Sequence, residues 1–184
     1  MSEELKGKRV AILVAKGFEQ VELTEPKRAL EAAGAETAIV SPEEGRVRGW
    51  DMTDWGRSIR VDVPLDQADA SDFDALMLPG GVMNPDHLRR NEKAVKFVKQ
   101  FFDEGKPVGA ICHAPWTLIE AEVVEGRTMT SYPSVKTDLK NAGANWVDKE
   151  VVVNDGLVTS RSPKDLAAFC PALVDEIRQV AHVH

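Results

Sequence analysis

Short apolar runs alternate with longer amphipathic segments along the chain. The runs at 9–14, 36–40, 74–78 and 107–111 are typical of strands buried on both faces of a parallel sheet. Helical spacing fills the segments between them, as at 92–104, where Val95, Val98 and Phe102 share one face and Gly105 ends the pattern. This alternation predicts an α/β fold with a mainly parallel central sheet.

Two segments depart from a simple alternation. A helix is predicted over 21–33 with Gly34 at its end, but Pro26 either marks its first turn or kinks a helix that begins near Gln20. Segment 45–63 is predicted to form a hairpin, because Ile59, Val61 and Val63 alternate with charged residues. Its two tryptophans, at positions 50 and 55, suit a subunit interface, a pocket wall, or packing against the parent domain.

The last third of the chain continues the pattern. A strand at 127–130 precedes a helix that Ser134 is expected to cap and Gly143 to end. Asp155-Gly156 predicts a hairpin turn between strands at 151–153 and 157–160. A capping box at 162–165 then opens the final helix.

Composition narrows the class of protein. The length of 184 residues fits one domain spanning residues 1–184, and 43% hydrophobic with 29% charged residues is ordinary for a globular chain. A net charge of -7 argues against nucleic acid or an anionic membrane as the main partner. No secretory signal or membrane span is evident, so Cys112 and Cys170 are expected to be free thiols of a cytoplasmic protein.

Three chemically suggestive loops follow three predicted strands. Glu19 comes after the first strand, Gly80-Gly81 after the strand at 74–78, and Cys112-His113 after the strand at 107–111. In an open parallel sheet all three would meet at the carboxyl edge, where ligands bind. Gly-Gly could present backbone amides to an oxyanion, although a tight turn is the simpler explanation.

Cys112 stands at a strand-to-helix junction that resembles a nucleophile elbow, with small neighbours at Ala110 and Ala114. A thiol at a helix N-terminus is expected to have a lowered pKa, which favours the nucleophilic thiolate. His113 could act as base and then as acid. The alternative is a buried cysteine that only fills space, which is how we interpret Cys170. Apart from His182 and His184 near the C-terminus, no metal-ligand spacing occurs, and no metal or cofactor is expected.

With these residues in place, the chain resembles the PfpI-type intracellular protease and protein deglycase family, within the class I glutamine-amidotransferase-like superfamily. The resemblance extends from Lys8 to the final helix and rests on these motifs: Phe18-Glu19 with Val21-Glu22-Leu23, Leu78-Pro79-Gly80-Gly81, Asn91-Glu92-Lys93-Ala94, Gly105-Lys106-Pro107-Val108, Ile111-Cys112-His113, Thr130-Ser131-Tyr132-Pro133, Asn145-Trp146-Val147-Asp148 and Ser160-Arg161. It implies a flavodoxin-like three-layer sandwich with Cys112 as nucleophile and Glu19 as its carboxyl partner. The amides of Gly81 and His113 would form the oxyanion hole.

The resemblance also implies a homodimer or larger homo-oligomer. In protease-like members, an acid from a neighbouring subunit pairs with the histidine, and the matching residue here is Asp86. Many relatives have glutamate there, in a shorter loop, and many have glycine where Ala114 stands. Glutamine amidotransferases use a His-x-Glu after the nucleophile, and none follows Cys112, which excludes that activity.

We therefore predict a cofactor-independent cysteine hydrolase that attacks electrophilic carbonyl groups. Protein deglycation, or removal of dicarbonyls such as methylglyoxal, ranks above general peptidase activity, because no extended substrate cleft can be identified. Small carbonyl compounds and glycated proteins or peptides are the expected substrates. The alternative is a redox-sensing stress protein or chaperone in which Cys112 is reversibly oxidised. A non-catalytic binding module is a weaker possibility.

Overall fold

Residues 2–180, which the computed structural model describes, fold around a seven-stranded sheet. The strands are β1 (Arg9–Leu13), β2 (Phe18–Glu19), β3 (Glu36–Ser41), β4 (Arg46–Asp51), β5 (Asp54–Arg60), β6 (Val63–Pro64), β7 (Ala75–Leu78), β8 (Val108–Ile111), β9 (Thr128–Met129), β10 (Asn145–Trp146), β11 (Val152–Asn154) and β12 (Leu157–Ser160). The α-helices are α1 (Gln20–Ala32), α2 (Met83–Arg89), α3 (Glu92–Asp103), α4 (Pro115–Glu120), α5 (Lys136–Asn141) and α6 (Leu166–Val180).

The central sheet has the strand order β11-β12-β8-β7-β1-β3-β6. Every neighbouring pair is parallel except β11 and β12, which are joined by the Asp155-Gly156 turn. The predicted parallel sheet is confirmed. Because β1, β7 and β8 are adjacent and parallel, their carboxyl ends lie side by side, as the three-loop prediction requires.

Helices cover both faces of this sheet. Alternate residues of β1 enter two separate cores: Ala11 and Leu13 pack on one face, and Val10 and Ile12 on the other. The first core includes residues of α2 to α5, and the second is closed by α1 and α6. The three-layer α/β sandwich is therefore confirmed, and the doubly buried strands explain the uninterrupted apolar runs.

The excursion at 45–63 differs from its prediction. β4 and β5 form the expected antiparallel hairpin, but β5 ends at Arg60. The Asp62 carboxylate then accepts a hydrogen bond from the Ile39 amide at 2.8 Å, and β6 joins the central sheet beside β3. The alternation of Ile59, Val61 and Val63 therefore does not belong to one continuous strand, because the chain passes from one sheet to the other at Asp62. The hairpin also pairs with β2, which gives a second sheet of order β2-β4-β5.

Two helices add detail that periodicity did not supply. α1 begins at Gln20 and continues through Pro26, so that proline lies in the helix interior rather than in its first turn. α2 was not predicted, since Pro85 interrupts its sequence, but the proline lies in its first turn, where no amide donor is needed. Within residues 2–180, no helix has the length and apolar character needed to cross a membrane. His182 and His184 lie outside the described residues.

Candidate active site

Cys112 occupies the sharp turn between β8 and α4. Its φ of +65° lies in the left-handed region, which costs a non-glycine residue on the order of 1–3 kcal/mol. The turn is held on both sides, because the Cys112 amide donates to the Ser160 carbonyl at 3.1 Å and its carbonyl accepts from Tyr132 at 2.9 Å. The predicted elbow is thus present, and its strain is sustained by the neighbouring chain.

The Gly80-Gly81 loop makes room for this elbow. A Cβ on Gly80 would lie 2.6 Å from Cβ of Cys112, so only glycine allows the approach. Gly81 has a φ of +80°. The buried Asn84 side chain holds the loop, since its amide group donates to the Pro79 and Gly80 carbonyls while its oxygen accepts from Ala15.

The carboxyl group beside the thiol belongs to Glu22. Glu22 is fully buried, and its Oε1 accepts from the Gly80 amide at 3.1 Å. Burial and the nearby Glu19 carboxylate raise the pKa of Glu22 to about 8, against weaker opposing hydrogen bonds from Gly80 and Cys112. Its other oxygen, Oε2, has no hydrogen-bond acceptor or donor within the described chain. Glu22 is therefore protonated at neutral pH, with Oε2 as the natural carrier of the proton.

The environment of Cys112 opposes the expected easy ionisation. Burial raises the pKa of the thiol well above its usual range, and a charged Glu22 raises it further. The amides of Gly81 and His113 act in the opposite direction, because both donate hydrogen bonds towards the sulfur. The expectation that the helix N-terminus would lower this pKa is wrong, since α4 has only six residues and Cys112 is 7% exposed.

His113 lies against the thiol. Its Nδ1 is 3.1 Å from Sγ of Cys112, and its Nε2 is 3.1 Å from Oγ of Ser134. The ring stacks on Tyr132 with centroids 4.6 Å apart. Burial lowers the pKa of His113, so the neutral imidazole is available to accept the thiol proton.

A cavity of about 460 Å³ opens above these groups. Its lining includes the titratable residues Cys112, His113, Glu22 and Glu19, and the loops at Gly17 and Gly81 complete this part of the wall. Much of its wall is apolar or aromatic and comes from these residues: Trp50, Met52, Val82, Met83, Tyr132 and Pro163. No cluster of three or more potential metal ligands occurs within residues 2–180, and the chemistry of this site is that of a thiol, an imidazole and a carboxyl group.

Comparison with known proteins then assigns the family. Residues 8–176 match the DJ-1/PfpI family.

The chain belongs to the DJ-1/PfpI family.

Individual relatives agree with that assignment. The protein named "Deglycase PH1704" of Pyrococcus horikoshii is 47% identical over 161 residues, which is 88% of this chain and 94% of the relative. "General stress protein 18" of Bacillus subtilis is 46% identical over 165 residues, 89% of this chain and 94% of the relative. The crystal structure of Drosophila melanogaster DJ-1beta superposes with a TM-score of 0.82 at 29% identity, covering 99% of this chain and 97% of that one. The predicted resemblance is confirmed at the level of family and fold.

In this DJ-1/PfpI protein Glu19 does not contact the thiol. Its Oε1 accepts from the Met52 amide at 3.0 Å, so the carboxylate is held by the β4–β5 hairpin, although the residue also lines the Cys112 cavity. Burial raises the pKa of Glu19, the Met52 hydrogen bond opposes that rise, and the Asp51 charge adds to it. The prediction of Glu19 as the carboxyl partner is corrected to Glu22. Residue 19 ends β2, whereas residue 22 lies on the inward face of α1 with Pro26 and Leu30.

Asp86 lies on the exposed side of α2 and forms an ion pair with Arg89 at 2.7 Å. The Arg89 guanidinium lies 4.4 Å from the ring centroid of Trp116, which packs against His113. Within one chain the second ring nitrogen of His113 is bonded to Ser134 instead. A role for Asp86 at a histidine therefore requires another subunit and stays a prediction.

Sequence reasoning missed Glu22, Asn84 and Ser134 as site residues. Glu22 could have been found from helix phase, since positions 22, 26 and 30 repeat every four residues on the buried face. Ser134 was expected to cap a helix, but α5 begins at Lys136 with no side-chain cap. Its hydroxyl instead bonds a histidine 21 residues away, and local sequence carries no signal of such a contact.

Proposed function

We propose that this chain is a cysteine-dependent hydrolase that attacks electrophilic carbonyl carbons, with dicarbonyl adducts on proteins or free dicarbonyls as substrates. The observation that carries the proposal is the grouping of two side chains and two backbone amides around the Cys112 sulfur. His113 is 3.1 Å from Sγ, Glu22 is buried and protonated, and the amides of Gly81 and His113 point towards the same atom. The name of the Pyrococcus horikoshii relative, a deglycase, supports this substrate class.

The two titratable neighbours take different roles. His113, whose pKa is lowered, accepts the proton of Cys112 as the thiolate attacks the carbonyl carbon. The C–S bond forms, and the π electrons of the C=O group move to its oxygen. The Gly81 and His113 amides stabilise this oxyanion. Glu22, whose pKa is raised, supplies a proton from Oε2 to this oxygen and so acts as the acid, which gives a hemithioacetal. With a free dicarbonyl, the hydrogen on the sulfur-bearing carbon then moves as a proton to the neighbouring carbonyl carbon through an enediol, which leaves a thioester on Cys112. Water adds to the thioester, the C–S bond breaks, the 2-hydroxy acid leaves, and the sulfur regains its proton.

The volume of the cavity favours small or compact substrates over an extended peptide. About 460 Å³ accommodates a dicarbonyl adduct with part of its carrier side chain. The test is a panel of methylglyoxal, a methylglyoxal-treated peptide and fluorogenic peptides, all assayed on the wild type. We expect turnover of the first two. Cleavage of the fluorogenic peptides alone would favour a peptidase instead.

A redox role is the second candidate function. The specific observation is the free oxygen of Glu22, since a protonated Oε2 could donate a hydrogen bond to an oxygen placed on the Cys112 sulfur. Peroxide titration followed by intact mass spectrometry tests it. Selective oxidation of Cys112 together with no turnover on any of the three substrates would replace the hydrolase proposal with this one.

Assembly belongs to the proposal as well. We propose a homodimer or larger oligomer in which Asp86 of one copy approaches His113 of another. The neutral Asp86→Asn variant tests this, together with light-scattering mass. An oligomer whose Asp86→Asn variant loses activity supports the proposal. A monomer with full activity would dismiss Asp86 from the site.

A further inference from the structure

Glu19 fixes the tip of the β4–β5 hairpin. Its Oε1 accepts a hydrogen bond from the Met52 amide at 3.0 Å. Met52 itself has a φ of +60°, a conformation that is costly for a residue other than glycine. The Trp50 indole donates to the Met52 carbonyl at 3.1 Å, so both backbone polar groups of Met52 are engaged. These bonds define one conformation for the tip.

The residues on either side of Glu19 contact the middle of the same hairpin. The Phe18 ring fills the space beside Gly49, where a Cβ would lie 2.9 Å from a ring carbon. Gln20 accepts from the Arg57 amide at 2.7 Å. Three consecutive residues thus attach the hairpin to the start of α1, and Glu19 is the one that reaches its tip.

The tip has little hydrophobic packing of its own. Met52 is 65% exposed, so burial of its own apolar surface contributes little to holding this turn. A hydrogen bond to a carboxylate is stronger than one between neutral groups. Backbone pairing of β4 with β2 and an edge contact with the Trp55 ring hold Trp50. The Glu19 carboxylate is the side-chain contact that holds the Met52 backbone at the tip, and the Trp50 indole bonds to that same residue, so Glu19 restrains this part of the wall of the Cys112 cavity.

We propose that Glu19 is a positioning residue that holds Trp50 and Met52 as an apolar wall of the Cys112 cavity, and thereby selects carbonyl substrates that carry an apolar or aromatic group. The proposal rests on the proposed function for its substrate part. With Tyr132 and Val82, the wall offers an aromatic and aliphatic surface next to the sulfur. A substrate such as phenylglyoxal would use this surface, and methylglyoxal would use much less of it.

Three variants separate the contact from the charge. Glu19→Gln keeps an acceptor oxygen for the Met52 amide but removes the charge. Glu19→Ala removes both. Gln20→Ala is the matched control, because it removes the neighbouring bond to Arg57 in the middle of the hairpin and leaves the tip contact in place.

Amide hydrogen exchange at Met52 is the first readout. We expect Glu19→Ala to speed this exchange about tenfold or more, as loss of a charged hydrogen bond would. Glu19→Gln should lie closer to the wild type than to Glu19→Ala, and Gln20→Ala should leave Met52 exchange near the wild-type rate. Unchanged exchange in Glu19→Ala would overturn the proposal.

The second readout is KM for two substrates. Glu19→Ala should raise KM for phenylglyoxal several-fold more than KM for methylglyoxal, whereas Glu19→Gln should not. Equal increases for both substrates would overturn the selective role. Exchange needs no turnover, so if neither dicarbonyl is consumed by the wild type, the proposed function fails while the exchange result still decides whether Glu19 holds the tip.

Discussion

Burial moves the pKa values of Glu22 and His113 in opposite directions, and both residues flank the Cys112 thiol. Burial raises the pKa of Glu22 to about 8 and lowers the pKa of His113 below its ordinary value. At neutral pH the carboxyl group therefore keeps its proton while the imidazole lacks one. An acid and a base coexist at one sulfur without an ion pair between them.

The first prediction concerns stability and pH. Folded Glu22 keeps its proton up to a pH of about 8, and its ordinary pKa is 4.5. Between those values the folded state binds more protons than the unfolded state, so stability falls as pH rises. Relative to Glu22→Gln, the wild type should lose on the order of 3–5 kcal/mol of unfolding free energy between pH 4.5 and 8. Denaturant titrations at several pH values measure this, and a pH-independent difference would contradict it.

The second prediction is a bell-shaped pH profile of kcat/KM. The acid limb should lie below pH 6.5, where neutral His113 becomes protonated, and the alkaline limb near pH 8, where Glu22 loses its proton. Glu22→Gln should lack the limb near pH 8, because its amide does not titrate. Methylglyoxal consumption across the pH range gives the profile. An alkaline limb retained in Glu22→Gln would remove Glu22 as the acid.

Ser134 provides the third prediction. Its hydroxyl can donate to or accept from Nε2 of His113, so it orients the ring without adding charge. Ser134→Ala should slow iodoacetamide alkylation of Cys112 about two- to tenfold, and Ser134→Thr should restore most of the rate. Ser134→Asp should raise the pKa of His113, as followed by NMR. An unchanged alkylation rate in Ser134→Ala together with an unchanged His113 pKa in Ser134→Asp would show that Ser134 does not position the ring.

Gly80 tests the packing of the elbow. A Cβ there would meet Cβ of Cys112 and the Ile111 carbonyl oxygen, each at 2.6 Å. Gly80→Ala should cost about 1–3 kcal/mol in unfolding free energy and abolish most turnover, since the nucleophile must move. Gly109→Ala is the matched control on β8, because the nearest atoms to its new Cβ would be side-chain atoms of Leu173 and Phe169, at 2.9 and 3.1 Å, and not the elbow. Equal turnover in the two variants would argue against a close Gly80–Cys112 fit.

The sequence predicted the sheet well because a doubly buried strand leaves a direct mark, an uninterrupted apolar run. It also placed Cys112 correctly, since an elbow needs small neighbours at fixed positions. Both signals are local. The pKa of the Cys112 thiol was predicted to be lowered, because the start of a helix is visible in the sequence. Burial raises it instead, and the elements that bury the thiol are distant in sequence.

Roles that depend on contacts across the chain could not be predicted in the same way. Glu19 and Glu22 are three residues apart, but only the start of α1 decides which one faces inward, and Pro26 obscured that start. The Glu19–Met52 contact joins residues 33 apart in sequence. Such contacts follow from the relative placement of sheets, which periodicity does not encode.

Methylglyoxal turnover by Cys112→Ser and Cys170→Ser, measured side by side with the wild type, tests the central claim most directly. Both changes replace a sulfur by an oxygen, but Cys170 lies in α6 outside the residues that line the Cys112 cavity. We predict that Cys112→Ser reduces turnover at least a thousandfold and that Cys170→Ser retains the wild-type rate. Wild-type turnover in Cys112→Ser would contradict the account, because the reaction would then not require the Cys112 thiolate.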